Sequence, residues 1–413
     1  MVDQRRIDDQ RWVDAPTAAR HLGISVRSLY AYVSRGQVRS VAGEQGRPRL
    51  YAFADLERLR VRRDARAGHG AVAAGALRWG EPVLDSAITA ITPRGPAYRG
   101  KLAVDLAAAG TPYENVAELL WAGYLPDRRI DWPRGTIPHA QLARLVGADP
   151  RTPQDVMALL LPIAALADRE RDDLRPDALI ACGRRLIPLL AAALAPGFVA
   201  AAVTRALGAS SVAQIAARAI GLPDDLGPVI NSVLVLLADH ELNASSFTAR
   251  IAASTDAGPY ACVAAALATM SGRKHGSASE PVARFAAEVG SPEAARAAVR
   301  ALRRRGEVPP GFGHPIYPAG DPRAPPLLDA AARLPGARHA RTLFAIIEAT
   351  TDAAPNCDIG LAALVAALGA PPTAGTGLFA VARAAGWLAH AIEQRAAGFI
   401  LRPRARYTGA PVL

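Results

Sequence analysis

Four short segments place ionisable side chains beside glycine or proline, or inside otherwise apolar sequence. They are Ala238-Asp239-His240-Glu241-Leu242-Asn243, Gly272-Arg273-Lys274-His275-Gly276, Gly311-Phe312-Gly313-His314-Pro315-Ile316-Tyr317 with Asp321-Pro322-Arg323 behind it, and Pro355-Asn356-Cys357-Asp358. Two arginine segments follow, Ala382-Arg383-Ala384-Ala385-Gly386-Trp387 and Arg402-Pro403-Arg404. Imidazoles and carboxylates move protons near neutral pH, and guanidinium forks match carboxylates bidentately. A single histidine beside glycine reads more simply as a structural residue. The information lies in the joint pattern of three His, one Asp and three Arg in this order. Asp358 also suits a helix N-cap before Ile359-Gly360-Leu361. His390, one turn beyond Trp387, reads as packing, and His21, His69, His139 and His339 sit in no motif.

The elements that must carry these groups are helices. Half of the 413 residues are apolar and only 5% are aromatic. Alanine and leucine dominate, and β-branched runs are short, a mix that favours helix over sheet. Apolar residues recur at helical spacing over 115–122, 155–167, 177–195 and 295–304. The uncharged run 186–204 is long enough to span a membrane, but Pro188 and Pro196-Gly197 interrupt it, so it reads as a buried helix pair. The polar, mixed-charge start is not a signal peptide. Cys182, Cys262 and Cys357 read as reduced thiols in a cytoplasmic protein, with neither a disulfide frame nor a metal site expected.

Of 48 basic residues only Lys101 and Lys274 are lysines, and residues 1–66 hold +6 of the net +11. Within that segment a short helix over 17–22, a turn at Gly23, and a helix capped by Ser25 with Leu29 and Tyr32 inward have the order of a helix-turn-helix. Two strand-like stretches (38–43 and 47–53) and a further helix over 53–63 complete a winged form. It resembles the MerR and excisionase type, which implies DNA as a partner, with Arg27, Ser28 and Tyr30 facing the groove and Arg35, Arg47 and Arg49 near the backbone. The Gly/Ala-rich stretch up to residue 76 reads as a linker.

The phrases ADHELN, GFGHPIY with DPR, NCD and RPRARYTG closely resemble the citrate synthase family over about 335 residues. Residues 86–89, 98–100, 116–120 and 123–126 match that family's first helical segments. The resemblance implies a mainly all-α, two-domain fold behind the winged helix. The expected divisions are 1–66 for the winged helix, 67–76 for the linker, 77–275 with 376–413 for a large domain, and 276–375 for a small one. It implies condensation of acetyl-CoA with oxaloacetate and water to give citrate and CoA. Asp358 would be the base, His275 a neutral donor at a helix N-terminus to the thioester oxygen, and His314 the acid at the ketone. Arg323, Arg383 and Arg402 would clamp the carboxylates with His240 as a further donor. Arg402 would cross from the partner of a homodimer. No permanently bound cofactor is implied, and acetyl-CoA enters as co-substrate. A 2-methylcitrate synthase using propionyl-CoA would keep the same set. A DNA-binding regulator with a metabolite-sensing domain would need the clamp but not the base.

Three departures from the family pattern stand out. Leu237 occupies a position where the family has a second histidine. Arg273-Lys274 replaces Pro-Leu before His275, and Gly276-Ser277-Ala278-Ser279 replaces Gly-Gly-Ala-Asn after it. The spacings from His275 to His314 and from His314 to Asp358 are short, which implies a trimmed small domain.

Overall fold

The computed structural model describes residues 12–34, 37–41, 48–53, 55, 56, 59, 84–133, 152–272, 275, 279–334, 338–405, 408 and 409. The expected linker at 67–76 lies outside these residues, as do Arg35, Arg47, Arg273, Lys274, Gly276, Ser277 and Ala278. The chain divides into two units, residues 1–85 and 86–413.

The first unit runs β1 (Trp12–Asp14), α1 (Ala15–Leu22), α2 (Val26–Ser34), β2 (Ser40–Val41) and β3 (Leu50–Ala52). The Asp14 carboxylate accepts the Thr17 N–H at 2.8 Å and starts α1. Gly23 ends it at φ +59°, where a side chain would be strained. Ser25 Oγ accepts the Ser28 N–H at 3.1 Å and caps α2. The strands pair antiparallel in the order β1-β3-β2. Ala18, Leu22, Leu29, Val38, Tyr51 and Leu56 fill the core between them. Tyr32 is half-buried, while Arg27, Ser28, Tyr30 and Arg49 are exposed. Of the helix expected over 53–63, Phe53, Asp55, Leu56 and Leu59 are described and are helical. Strand β1 was not expected: three residues show no alternation, and β1 exists because it pairs with β3 along Trp12↔Ala52 to Asp14↔Leu50.

The second unit opens with a small meander, β4 (Thr89–Thr92), β5 (Gly95–Tyr98) and β6 (Lys101–Leu102). This corrects the helical expectation for 86–100. Two tight turns force it, Pro93-Arg94 before Gly95 (φ +104°) and Arg99-Gly100, whose φ values of +47° and +86° suit the right-handed twist of a hairpin. Helices follow: α3 (Ala103–Ala108), α4 (Tyr113–Ala122), α5 (Pro153–Ala167), α6 (Pro176–Ala192), α7 (Ala200–Leu207), α8 (Val212–Ala219), α9 (Gly227–Leu237), α10 (Ala244–Ala253) and α11 (Pro259–Met270). Then come α12 (Ser279–Val289), α13 (Pro292–Arg304), α14 (Ala324–Ala332), α15 (Arg338–Ala349), α16 (Cys357–Ala367) and α17 (Thr373–Ala397). The run 186–204 is interrupted at Pro196-Gly197, whereas Pro188 is held inside α6. Among the described residues no helix is long and apolar enough to cross a membrane.

Helix α17 organises the unit. It packs on α4, α5, α6, α9, α10 and α11, while α12 to α16 pack on one another. Small residues allow the close approach: a Cβ at Gly377 would lie 2.4 Å from Leu194 Cδ2. Leu186, Leu190, Leu234, Met270, Leu378 and Trp387 sit in one continuous apolar core with almost no exposed surface.

Candidate active site

Four loops meet the face of α17 that carries Arg383, Gly386, Trp387 and His390. These positions are spaced i, i+3, i+4 and i+7 and therefore share one side of the helix. Arg383 Nε donates to the Leu237 carbonyl at 2.9 Å, and the Gly386 N–H donates to the Ala238 carbonyl at 3.1 Å. The end of α9 is thereby fixed, and His240 follows it. Tyr98 adds a second hold from β5: its hydroxyl donates toward the Val235 and Leu236 carbonyls and accepts the Asp239 N–H at 3.3 Å.

Asp239 is fully buried. Its carboxylate accepts the Glu241 N–H at 3.1 Å and faces His390 Nε2 at 3.4 Å. Burial alone would raise its pKa, but the nearby His390 and Arg383 hold it below the usual carboxylate range. Neither Asp239 nor His390 was singled out for this role from sequence. The signal was present, because His390 falls one helical repeat of seven beyond Arg383.

His240 Nε2 lies 3.1 Å from the Tyr317 hydroxyl, and its ring centroid is 5.6 Å from that of His314. Burial, and then the charges of Arg323 and Arg383, push its pKa well down, so it is neutral. His314 Nδ1 accepts the Ile316 N–H at 3.1 Å, which leaves Nε2 as the N–H donor. Burial and Arg323 lower its pKa as well.

The loop that carries His314 is sewn to the loop before α16. Asn356 N–H donates to the Gly311 carbonyl at 2.9 Å, Gly313 N–H to Ala354 at 2.8 Å, and the Asn356 amide to the Gly313 carbonyl at 3.0 Å. Gly311 has φ +89°, and a Cβ there would lie 2.6 Å from Ile359 Cβ, so no other residue fits. Asn356 Oδ1 accepts the Asp358 N–H at 3.0 Å, which makes Asn356 the N-cap of α16. Asp358 is therefore not the cap. Its carboxyl is spared that duty, and burial raises its pKa to about 6 against the opposing pull of Arg323 and Arg383.

Arg323 is buried and forks onto Asp321, with Nε to Oδ1 at 3.0 Å and Nη2 to Oδ2 at 2.8 Å. Asp321 Oδ2 also accepts the Cys357 N–H at 3.1 Å, so one carboxylate fixes both the arginine and the start of α16. Arg383 is 1% exposed, stacks 4.6 Å over the Phe379 ring, and forms no ion pair with a carboxylate among the described residues. Such a buried cation suits an anionic ligand.

His275 sits in a turn, and the first described residue of α12 is Ser279; residues 276–278 between them lie outside the described residues. Its neutrality has a source in its surroundings. Burial, and then the Arg383 charge, lower its pKa to about 4. Nε2 accepts the Ser245 N–H at 3.3 Å and lies 2.8 Å from Ser245 Oγ, leaving Nδ1 as the donor. Trp387 Nε1 donates to the same Oγ at 3.0 Å.

His240, His275, His314, Asp358, Arg323 and Arg383 thus converge. Arg402, beyond the end of α17, is exposed and is not brought to the cluster within one chain. Among the described residues no group of three His, Cys, Asp or Glu is placed to hold a metal ion. The arrangement offers one carboxyl with a raised pKa, neutral imidazole donors and two buried guanidinium groups, which is the equipment for removing a carbon-bound proton beside a bound dicarboxylate.

Comparison with known proteins agrees with this chemistry. Residues 76–404 match the model for the citrate synthase C-terminal domain, and residues 16–71 match that for the MerR HTH family of regulatory proteins. A citrate synthase of Mycolicibacterium smegmatis is 31% identical over 80% of this chain and 94% of its own length. A 2-methylcitrate synthase of Mycobacterium tuberculosis is 30% identical over 80% of this chain and 89% of its own. The citrate synthase of Thermoplasma acidophilum, solved as a ternary complex with carboxymethyl coenzyme A and oxaloacetate, superposes with a TM-score of 0.68. It is 22% identical and covers 80% of this chain and 95% of that one.

Proposed function

The chain belongs to the citrate synthase family, transferases that condense an acyl-CoA with oxaloacetate, and we propose that it makes citrate and CoA from acetyl-CoA, oxaloacetate and water. The observation that carries this reading is Arg383, a buried guanidinium with no carboxylate ion-paired to it, set between the neutral imidazoles of His240 and His275 and the Asp358 carboxyl. Asp358 takes a proton from the thioester methyl group. His275 Nδ1–H donates to the thioester oxygen, where charge develops. The enol carbon bonds to the ketone carbon of oxaloacetate, and the ketone oxygen takes the proton of His314 Nε2. Arg323 and Arg383 hold the carboxylates, with His240 as a further donor. Water then cleaves the new thioester and releases CoA.

In the same reading residues 276–375 form a small domain over a large one made of 77–275 and 376–413. Arg402 completes the clamp from the partner of a homodimer, and the protein works in the cytoplasm. The exposed Phe399 and Ile400 beside Arg402 support such a contact. The N-terminal unit docks on DNA through the exposed Arg27, Ser28 and Tyr30. The relative that is a 2-methylcitrate synthase supports propionyl-CoA as the alternative acyl donor, since one methylene separates the two by only about 1–3 kcal/mol. Thiol release is followed with oxaloacetate and either acyl-CoA. The thioester giving the higher kcat/KM is the substrate, and no thiol from either overturns the reading.

A further inference from the structure

We infer that the exposed face of α13, with the adjoining start of α15, is a second nucleic-acid contact, built to lie along a phosphate backbone.

Residues 292–305 hold five arginines and one acid, so α13 with the residue after it carries +4 of the +5 that lies beyond residue 66. Arg296, Arg300 and Arg304 are exposed and fall on one stripe at four-residue spacing. The stripe rises about 12 Å over its length. Among the described residues none of the three lies in an ion pair, whereas Arg303 reaches Asp352 at 3.2 Å and Arg305 reaches Glu307 at 3.0 Å.

The start of α15 continues the same sign. Arg338, His339 and Arg341 are exposed in its first turn, which holds no acidic residue. Glu293 opens α13. Its carboxylate is held below the usual range by the Ser291 hydroxyl and, further down, by the charges of Arg338 and Arg341. That places the two helix starts side by side, and Arg303 with Asp352 joins their ends.

Folding alone does not favour this arrangement. Like charges at i and i+4 destabilise a helix by about 0.2–0.5 kcal/mol per pair, and cations at a helix N-terminus oppose its dipole. Arg303 to Arg305 are explained by the C-terminal dipole of α13, and Arg338 and Arg341 face the Glu293 carboxylate, but neither account covers Arg296 and Arg300. An anionic polymer relieves both. Arginine forks suit phosphate oxygens, and the match of residues 16–71 to a DNA-regulator family gives the chain an independent reason to meet nucleic acid. An acidic membrane fits less well. The apolar side of α13, Ala295 and Val299, is buried, so the helix has no face left to enter a lipid surface.

The test uses the full chain on duplex DNA, with affinity measured against salt concentration. Arg296→Gln, Arg300→Gln and Arg304→Gln are combined in one variant, and Arg27→Gln is made separately in the N-terminal unit. The triple variant is expected to bind at least tenfold more weakly at low salt, with a slope of log affinity on log salt that is shallower by about 2–3. Its thiol-release activity should be unchanged. If Arg27→Gln has no effect while the triple variant loses affinity, DNA docking by the N-terminal unit fails and this inference stands. An unchanged affinity and slope in the triple variant overturns it. So does a triple variant whose only loss is a raised KM for acyl-CoA, or whose only loss is binding to an acidic protein or to anionic vesicles.

Discussion

Replacing Gly386 by alanine should strengthen α17 as a helix and weaken the site that α17 supports. In an open helix the change gains about 1 kcal/mol, because glycine is the poorer helix former. Here the new Cβ would stand 2.7 Å from the Ala238 carbonyl oxygen and 2.2 Å from Asp239 Oδ1. An ordinary contact starts near 3.4 Å, so the main chain at Ala238 must retreat by about 0.7 Å. Backbone cannot swing aside as a side-chain tip can, and overpacking of this kind costs about 1–3 kcal/mol. The net loss in stability is therefore about 0–2 kcal/mol, small enough to leave a folded protein. The functional loss is larger. The displaced chain leads into His240, and its Leu237 carbonyl holds Arg383. A misplacement approaching 1 Å costs about 10²-fold in a preorganised site, so kcat/KM for oxaloacetate should fall about 10- to 100-fold, mostly through KM. Thermal unfolding and thiol-release kinetics on the same preparation decide it. A variant with raised Tm and kcat/KM within twofold of the parent would refute the claim that the α17 face sets the oxaloacetate site.

Asp358→Asn should lower kcat by about 10²–10⁴ while oxaloacetate binding, followed by calorimetry, is retained. The same variant should unfold at higher temperature at pH 7. The Asp358 pKa, about 6 when folded against an ordinary 3.8, means that stability is lost as pH rises from about 4 to about 6. A shift of that size corresponds to about 3 kcal/mol. Because His275 titrates with the opposite sign over the same range, the check is the melting-point difference between Asp358→Asn and the parent, which should grow from pH 4 to pH 7, and a constant difference would contradict it. For the same reason kcat/KM of the parent should rise with pH through about 6, the base being protonated below. His275 works in the opposite sense: its folded pKa of about 4 lies below the ordinary 6.5, so stability falls as pH drops from 6.5 towards 4, and His275→Gln should flatten that limb. Ser245→Ala removes the hydroxyl shared by His275 and Trp387; kcat should fall by about tenfold or more with little change in KM for oxaloacetate, and an unchanged kcat would mean that the imidazole is held by packing alone.

The helices were legible because their apolar spacing is regular. Their starts moved outward by one to three residues, to Tyr113, Pro153, Pro176 and Pro292, because prolines and caps rather than apolar positions set them. The meander β4–β6 was not legible, since Arg99-Gly100 is a turn whose meaning comes from the strands it joins. Most of the site could be read as local phrases, but its supports could not. Asp239 and Asn356 lay inside those phrases, and Ser245 two residues beyond one, without a role, because their partners, His390, Gly313 and His275, are distant in sequence and nothing local marks the pairing. Arg383 was found, yet the reason it matters, a buried charge with no carboxylate ion-paired to it, is a property of the packed interior alone. Asp358 shows the reverse: the sequence allowed it as a cap, and the structure gave that task to Asn356.

Asn356 caps α16 through the Asp358 N–H and holds the His314 loop through the Gly311 and Gly313 carbonyls. The proposed base and the proposed acid therefore ride on one rigid block. Under the proposed division at residues 275 and 376 both groups belong to the small domain, and a movement of that domain would carry them together toward His240 and His275, which belong to the large one. A substitution that loosens Asn356 should therefore disturb proton removal and proton return together.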